Sequence, residues 1–556
     1  MIFLLFTLII ADTTYILSPV YVKGKRDYLL EEKFPMTFHT SRPLFSSKTL
    51  SLLNLSGTYP RNYTNMTGLS IRGSGMEEIK VLLEGIPVKS PQNGYFDFEL
   101  VPSDLIGGFE TLLTGNSSYF GYDAMAGLVN IRLTNRLNFL RFGLGKNFFS
   151  IASVTGFLLS TNTFVRAGFS REITPGGYTV RSKGHVLKIK NSGRENFFGF
   201  TKFVRQKSTL FFAFSHSRRG IPIIPGGLTT TPDSIFENLV MGSFRAKILD
   251  LSFALDNFTY KPHSRPQDHH VTGRIELKLT PVKFLTLRAF WEGIRSHSLE
   301  NHTRYGLSLS FNYSQKAGIF YPFVSFSGDY WFNEKSFKPS FFAGLTLSPG
   351  FYTSFSTGYR LPTFNDLYWP ESVYAHGNPD LKTENLEEFE LGFKRFLNFT
   401  KINISLFFRN YRDLIKWSPV DRGIWTPINL DSVKIRGLDG NVQFKIGKIS
   451  LLVFGEYIDT VFSKMHLIYY PMNKIGLTLN YGMNALSIVR IGRRHERLTG
   501  PKTMPPVTLV NLHLGFSMGK NSIFLEITNL TNRSYSLIRG YPAPGRQWRV
   551  KLETKI

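Results

Sequence analysis

The chain has no cysteine among its 556 residues. Disulfide frameworks, thiolate metal sites and cysteine nucleophiles are therefore excluded, and the absence is compatible with an oxidising envelope compartment. After the N-terminus no apolar run reaches the roughly 18 residues that a transmembrane helix requires. A Gly-x-Ser-x-Gly nucleophile elbow is missing, and Gly143-Leu144-Gly145-Lys146 lacks the length and the Ser/Thr of a phosphate-binding loop. No catalytic residues and no cofactor signature can be named, so the chain does not read as an enzyme. Acidic residues are scarce beside basic ones, 40 against 66, for a net charge of +26. Nucleic acid is the usual partner of so basic a chain, but these residues are scattered through alternating segments and form no compact patch. Two readings of the charge stay open: attraction of an anionic ligand or of outer-leaflet phosphates, and a merely solvated, basic interior and loops.

What is abundant is aromatic and small. The 51 Phe, 25 Tyr and 48 Gly suit strands, interfacial girdles and tight turns. Side chains along a strand point alternately to opposite faces. In the final segment Trp548, Val550, Leu552 and Ile556 fall on one face, with Thr554 the polar break, and Gln547, Arg549, Lys551, Glu553 and Lys555 on the other. Lipid on one side and water on the other accounts for such a pattern. It recurs with Val510, Leu512, Leu514 and Phe516, with Ile275, Leu277 and Leu279, and with Ile449, Leu451, Val453 and Tyr457. Ile523, Leu525 and Ile527 follow it too, although Phe524 interrupts their polar face. Lipid tolerates no unpaired edge, so these strands are expected to close into a barrel.

Four zones result. Residues 1–11 are mostly apolar, too short to span a bilayer, and read as a signal peptide that lacks the usual basic start. Residues 12–40 form an irregular extension, 41–135 mix short strands with Gly-rich turns and helix-like pieces such as Pro102 to Leu105, and 136–556 carry the alternating segments. Those last 421 residues would allow roughly 19 per strand for a barrel of about 22 strands.

Motifs in the third zone are specific. Ile71-Arg72-Gly73, Leu82-Leu83-Glu84-Gly85-Ile86-Pro87-Val88, Phe109-Glu110 and Gly121 to Ile131 occur in an order that resembles the plug domain of TonB-dependent outer-membrane receptors. Gly358 to Tyr368, Gly377 to Asn385, Phe389-Glu390-Leu391-Gly392, Asn529 to Tyr535 and Gly540 to Arg546 resemble barrel signatures of the same family, most closely its siderophore and cobalamin branches. The resemblance implies a transmembrane antiparallel β-barrel of about 22 strands with an N-terminal α+β plug domain inside the lumen, in the outer membrane of a Gram-negative-type bacterium. It implies active import of a scarce metal complex, with an iron–siderophore first and cobalamin second, driven through TonB by the ExbB–ExbD motor. A passive porin or adhesin barrel is the alternative from another class, and would need neither plug nor energy-coupling strand. Expected partners are TonB, the anionic metal complex, lipopolysaccharide and the barrel-assembly machinery, with no nucleic acid and a monomeric receptor. The terminal strand resembles the assembly signal but ends in Ile556, not the family's Phe.

The resemblance also assigns residues. Ile16, Leu17, Ser18, Pro19, Val20, Tyr21, Val22 and Lys23 are the candidate TonB box, whose β-branched and aromatic core favours an extended chain able to add a strand to a partner. Arg72 of the Ile-Arg-Gly motif is expected to pair with the barrel residue Glu390 and hold the plug. The family's other plug arginine precedes a glycine, where this chain has Thr114 before Gly115, so half of that lock is expected to be missing. Candidate ligand contacts are the cationic clusters Arg218-Arg219, His376, and Arg493-Arg494-His495 with Arg497, read as loops between strands; a solvated loop is the commoner explanation of any one of them. Asp268-His269-His270 with His263 fits no standard zinc spacing, and no metal site is assigned. Residues 176–191 contain no Asp, so the calcium loop of cobalamin receptors is not supported.

Overall fold

The computed structural model describes residues 38–556, apart from 42–46, 48–53, 55, 64, 183–184, 224–230, 264–265, 316, 348–349, 373–374, 421–423, 462–465 and 498–499. The signal-peptide segment and the candidate TonB box lie outside the described residues. The described plug strands are β1 (Phe38–Ser41), β2 (Thr58–Asn62), β3 (Thr67–Ile71), β4 (Lys80–Leu83), β5 (Ile86–Pro87), β6 (Ile106–Leu112) and β7 (Leu128–Leu133), with a short helix α1 (Ser117–Phe120). Five of them form a mixed sheet in the order β1-β6-β7-β4-β5, while β2 and β3 make a separate hairpin. The helix-like reading near Pro102 is a single 3₁₀ turn, Ser103–Leu105. Sheet and turns enclose an apolar core that includes Leu69, Ile71, Val81, Leu83, Phe98 and Phe109.

From Phe139 onward the chain forms a closed antiparallel barrel of 22 strands. It begins with β8 (Phe139–Gly145), β9 (Phe148–Ser160) and β10 (Thr163–Thr174). After a small hairpin outside the wall, β11 (Tyr178–Ser182) and β12 (His185–Ile189), the wall resumes with β13 (Arg194–Arg205) and β14 (Ser208–Gly220). The last strand, Gln547–Lys555, closes the cylinder against β8, with Arg549 opposite Gly145 and Lys555 opposite Phe139. Connections at one end are short, such as 161–162 and 206–207; at the other they are long, such as 361–383 and 529–546. Short periplasmic turns and longer external loops orient the barrel.

Alternation along each strand sorts the side chains by solvent. Trp548, Val550 and Leu552 face outward, half exposed to the apolar surroundings, while Lys551 and Glu553 are buried in the lumen. Phe524, which interrupts the polar face of its strand, also faces inward: its ring lies 5.6 Å from that of His513 and 5.7 Å beneath the Arg141 guanidinium. The lumen tolerates it because cation and ring attract there.

Candidate functional site

Ion pairs that are shut off from water join the plug to the wall of the lumen. Arg72 follows β3 in a left-handed conformation (φ 49°), which costs a non-glycine residue about 1–3 kcal/mol. That turn, completed by Gly73 (φ 83°), aims the side chain at the wall. All five N–H groups of the guanidinium find acceptors. Nε donates to Asp439 Oδ2 at 2.7 Å, Nη1 to Glu388 Oε1 and Thr114 Oγ1 at 3.2 Å each, and Nη2 to Glu390 Oε1 at 2.8 Å and Ser405 Oγ at 2.6 Å. The Phe407 ring lies 4.5 Å away. Burial alone would lower the pKa of Arg72; Asp439, Glu390 and Glu388 outweigh it and hold the value well above the ordinary one.

Thr114 leaves this spot without a second plug arginine, but its hydroxyl donates to Glu390 and the Gly115 N–H donates to Glu388 Oε2 at 3.0 Å. A cation does reach this spot, from the other side. Arg409, on the wall strand Thr400–Val420, is fully buried and enters the plug. Its Nη1 donates to Ile71 O at 2.8 Å and Ser74 Oγ at 2.5 Å, and its Nη2 to Leu113 O at 2.7 Å, Ala126 O at 2.9 Å and Glu388 Oε1 at 3.1 Å. One barrel side chain thus gathers three separate plug segments. Arg72 and Glu390 could be named from motifs; Glu388, Asp439 and Arg409 could not. Glu388 shares the inward face of its strand with Glu390, a period-two signal that was available.

Further ion pairs surround the plug. Asp123 accepts from Arg274 Nη1 at 2.8 Å, and Arg274 in turn reaches Glu292, which also accepts from Arg304 Nε at 2.7 Å. Asp104 accepts from Arg141 Nη1 at 2.9 Å and from Ser150 Oγ at 2.9 Å, with Lys551 beside it. Burial would raise the pKa of Asp104 and Asp123, but Lys551 and Arg141 around the first, and Lys80 and Arg274 around the second, hold both below the usual carboxylate range. Glu84 pairs with Lys202 at 2.8 Å and with Arg132 at 3.8 Å.

The candidate ligand residues scatter. Arg218 and Arg219 lie in β14, not in a loop, and alternation separates them. Arg218 is exposed on the outer face over Phe236, whereas Arg219 turns inward and is buried against Asp97 of the plug and Glu237 of the wall. His376 is tied to its own loop and to the strand Ile424–Ile446: its Nδ1 lies 2.8 Å from Gly377 O and its Nε2 3.0 Å from Thr426 Oγ1. Arg494 is buried and joins two outer loops by donating to Pro505 O at 2.9 Å and Ser536 O at 3.3 Å. Arg493 and Arg497 are exposed on the same loop. His495 stacks on His466 with centroids 3.7 Å apart, and burial followed by His466 lowers its pKa. Asp268 and His270 pair within one strand at 3.1 Å, and no cluster of three metal-ligating side chains occurs among the described residues. At the mouth the plug tip meets the outer loops: Arg61 Nη1 donates to Ile468 O at 2.6 Å, Asn365 N to Gln92 O at 2.8 Å, and Tyr63 packs edge-on against Tyr541 at 5.3 Å.

Known proteins share this architecture. The family model "TonB dependent receptor-like, beta-barrel" matches residues 89–530 and "TonB-dependent Receptor Plug Domain" matches 49–128. Among curated relatives, the vitamin B12 transporter BtuB of Vibrio vulnificus (strain YJ016) is 25% identical over 542 residues, covering 87% of this chain and 85% of its own. The siderophore receptor PirA from Acinetobacter baumannii superposes with a TM-score of 0.76 at 13% identity, covering 96% of this chain and 99% of its own. A G324V mutant of the ferric enterobactin receptor PfeA from Pseudomonas aeruginosa gives 0.74 at 14%, covering 95% and 99%. The copper transporter OprC gives 0.74 at 12%, covering 93% and 100%. At such identities the structures share the fold alone. The barrel model spans most of the sequence and the plug model begins 40 residues ahead of it and overlaps its start, so the chain belongs to the TonB-dependent receptors, plugged outer-membrane barrels of Gram-negative bacteria whose members are transport receptors, not enzymes.

Proposed function

We propose that this receptor imports an anionic metal complex, an iron–siderophore in the first reading, by TonB-driven displacement of the plug. The observation that carries it is the stopper itself. A lumen closed by buried ion pairs passes nothing passively, and opening it takes outside work. Ile16–Lys23 is proposed as the TonB box that receives the pull, and the Arg72–Glu390 pair as the lock that the pull must release. β1 is the first described strand that a pull from the N-terminus would load, and it sits at the sheet edge on a four-residue ladder with β6. Arg493, Arg497, His495 and the tyrosines of the mouth supply cations and rings suited to an anionic, aromatic-rimmed chelate. Arg218, at the outer end of β14 and facing away from the lumen, is proposed to meet lipopolysaccharide phosphate, and the alternating final strand is proposed as the signal for the barrel-assembly machinery. Cobalamin is the second reading, favoured by the sequence likeness to BtuB.

The test is growth of a strain lacking its other receptors on a panel of iron chelates and corrinoids, with and without TonB. Uptake of one class that vanishes without TonB is the expected result. Uptake that is indifferent to TonB, or to deletion of residues up to Lys23, would favour a passive barrel.

A further inference from the structure

Glu84 and Gly85 form the two-residue tip of the β4–β5 hairpin, both with positive φ (51° and 84°), as a tight hairpin turn demands. The Glu84 carboxylate is 3% exposed. Its Oε2 accepts from Lys202 Nζ at 2.8 Å and its Oε1 from the Leu133 N–H at 2.8 Å. Lys202 lies on β13, and the residue directly opposite it on β10 is Arg166. Like charges placed directly across two strands repel, so an anion beside this pair stabilises it. Arg166 is 6% exposed and rests over Phe200 at 5.3 Å. Its Nη1 donates to Thr134 O at 3.0 Å and Asn135 Oδ1 at 2.6 Å, while its Nε and Nη2 find no acceptor among the described residues. Buried N–H donors without an acceptor are costly and mark a place built for more anion than Glu84 provides. Both cations stand three residues from the periplasmic ends of their strands.

Charge is divided along the chain in the same sense. Residues 54–134 hold five Lys/Arg against eight Asp/Glu, whereas 135–556 hold 55 against 28. An acidic stopper sits in a basic cylinder.

We propose that Arg166 and Lys202 form a second anion site, low on the barrel wall, which Glu84 occupies while the plug is seated and which the anionic cargo occupies in passing once the hairpin has moved. Cargo oxygens would accept the N–H groups that Glu84 releases and those that Arg166 holds unused. The hairpin carboxylate is thus a resident substitute for the cargo, and the wall is never left with two facing cations alone. This rests on the reading above that the cargo is anionic.

The experiment is titration of the purified full-length receptor with inorganic pyrophosphate. Glu84→Gly removes the substitute without strain, because glycine accepts the positive φ. It should bind one pyrophosphate more than the wild type. Adding Lys202→Gln or Arg166→Gln should weaken that extra site about ten- to hundredfold, the loss of one charged hydrogen bond. No gain in Glu84→Gly, or a gain that survives both wall substitutions, would overturn the proposal. Should the glycine variant fail to fold, Glu84→Gln serves in the same titration. A second arm measures iron uptake in cells. Lys202→Gln should lower the maximal rate without changing surface binding, while Glu84→Gln should not lower it. If the two variants behave alike, Lys202 merely anchors Glu84 and the site does not exist. The pyrophosphate arm uses no metal complex, so its failure is distinct from failure of the import reading.

Discussion

Substituting Arg72 by Ala should unseat the plug. The change removes the guanidinium group that pairs with Glu388, Glu390 and Asp439, and all three carboxylates are at most 1% exposed. Arg409 still bonds Glu388, and Glu390 keeps the hydroxyls of Thr114 and Tyr352, but a hydroxyl does not neutralise a buried carboxylate as the lost guanidinium did. Removing one partner of a buried pair costs about 3–5 kcal/mol, because the other charge is stranded. At roughly 1.4 kcal/mol per decade, the population of displaced plugs should rise by about two to three and a half orders of magnitude. The relief of the left-handed strain at position 72 would not offset this, since alanine suffers it equally. The assay is single-channel conductance in planar bilayers, supported by cell sensitivity to a bulky hydrophilic antibiotic. The variant should open spontaneously where the wild type is silent. A triple variant, Arg72→Met with Glu390→Gln and Asp439→Asn, should return toward silence, because no stranded charge is left. If Arg72→Ala neither leaks nor alters uptake, or if the triple variant leaks as much, the ion pairs are not what seats the plug.

Val20→Pro removes a backbone donor from the proposed TonB box; uptake should stop while ligand binding at the surface is unchanged, and normal uptake would disprove the assignment. His39 pairs with Thr111 across the β1–β6 ladder, and the chain has no cysteine of its own, so a His39→Cys/Thr111→Cys disulfide should block uptake until a reductant is added; full transport by the oxidised form would show that β1 need not peel away. Arg132, Lys202 and Arg166 outweigh the burial that would raise the pKa of Glu84 and hold it at about 2, against an ordinary 4.5. A depressed carboxylate stabilises the state that depresses it above the ordinary value and loses that contribution as pH falls toward 2; Arg132 stays beside Glu84 within the plug, so the share that bears on seating is the one from Lys202 and Arg166. Protease protection of the plug should therefore decline more steeply between pH 4.5 and 2 in the wild type than in Glu84→Gln, and equal slopes would refute the reasoning.

The two clusters that changed meaning show where a linear reading stops. Arg218 and Arg219 look like one basic patch before a glycine, and only the register of β14 shows that one faces outward and the other grips Asp97. Thr114 looks like a missing half of the lock, and only the closed cylinder shows that Arg409 arrives from the barrel wall, directly across from Glu388 on the next strand. No local pattern marks Arg409, because its acceptors are plug carbonyls some 280 to 340 positions away.

Residue order alone determined the barrel, the plug and, in the clearly alternating strands, which face meets lipid. Those rest on a period of two set against lipid and water, and on short motifs whose order needs no coordinates. The tertiary structure alone decided which charges meet. Partners in the lumen are matched by strand register and by the way the cylinder closes, and one residue of slip would turn each of them to the other face. The long-range pairing of Arg72 with Asp439, or of Glu84 with Lys202, exists only after that closure.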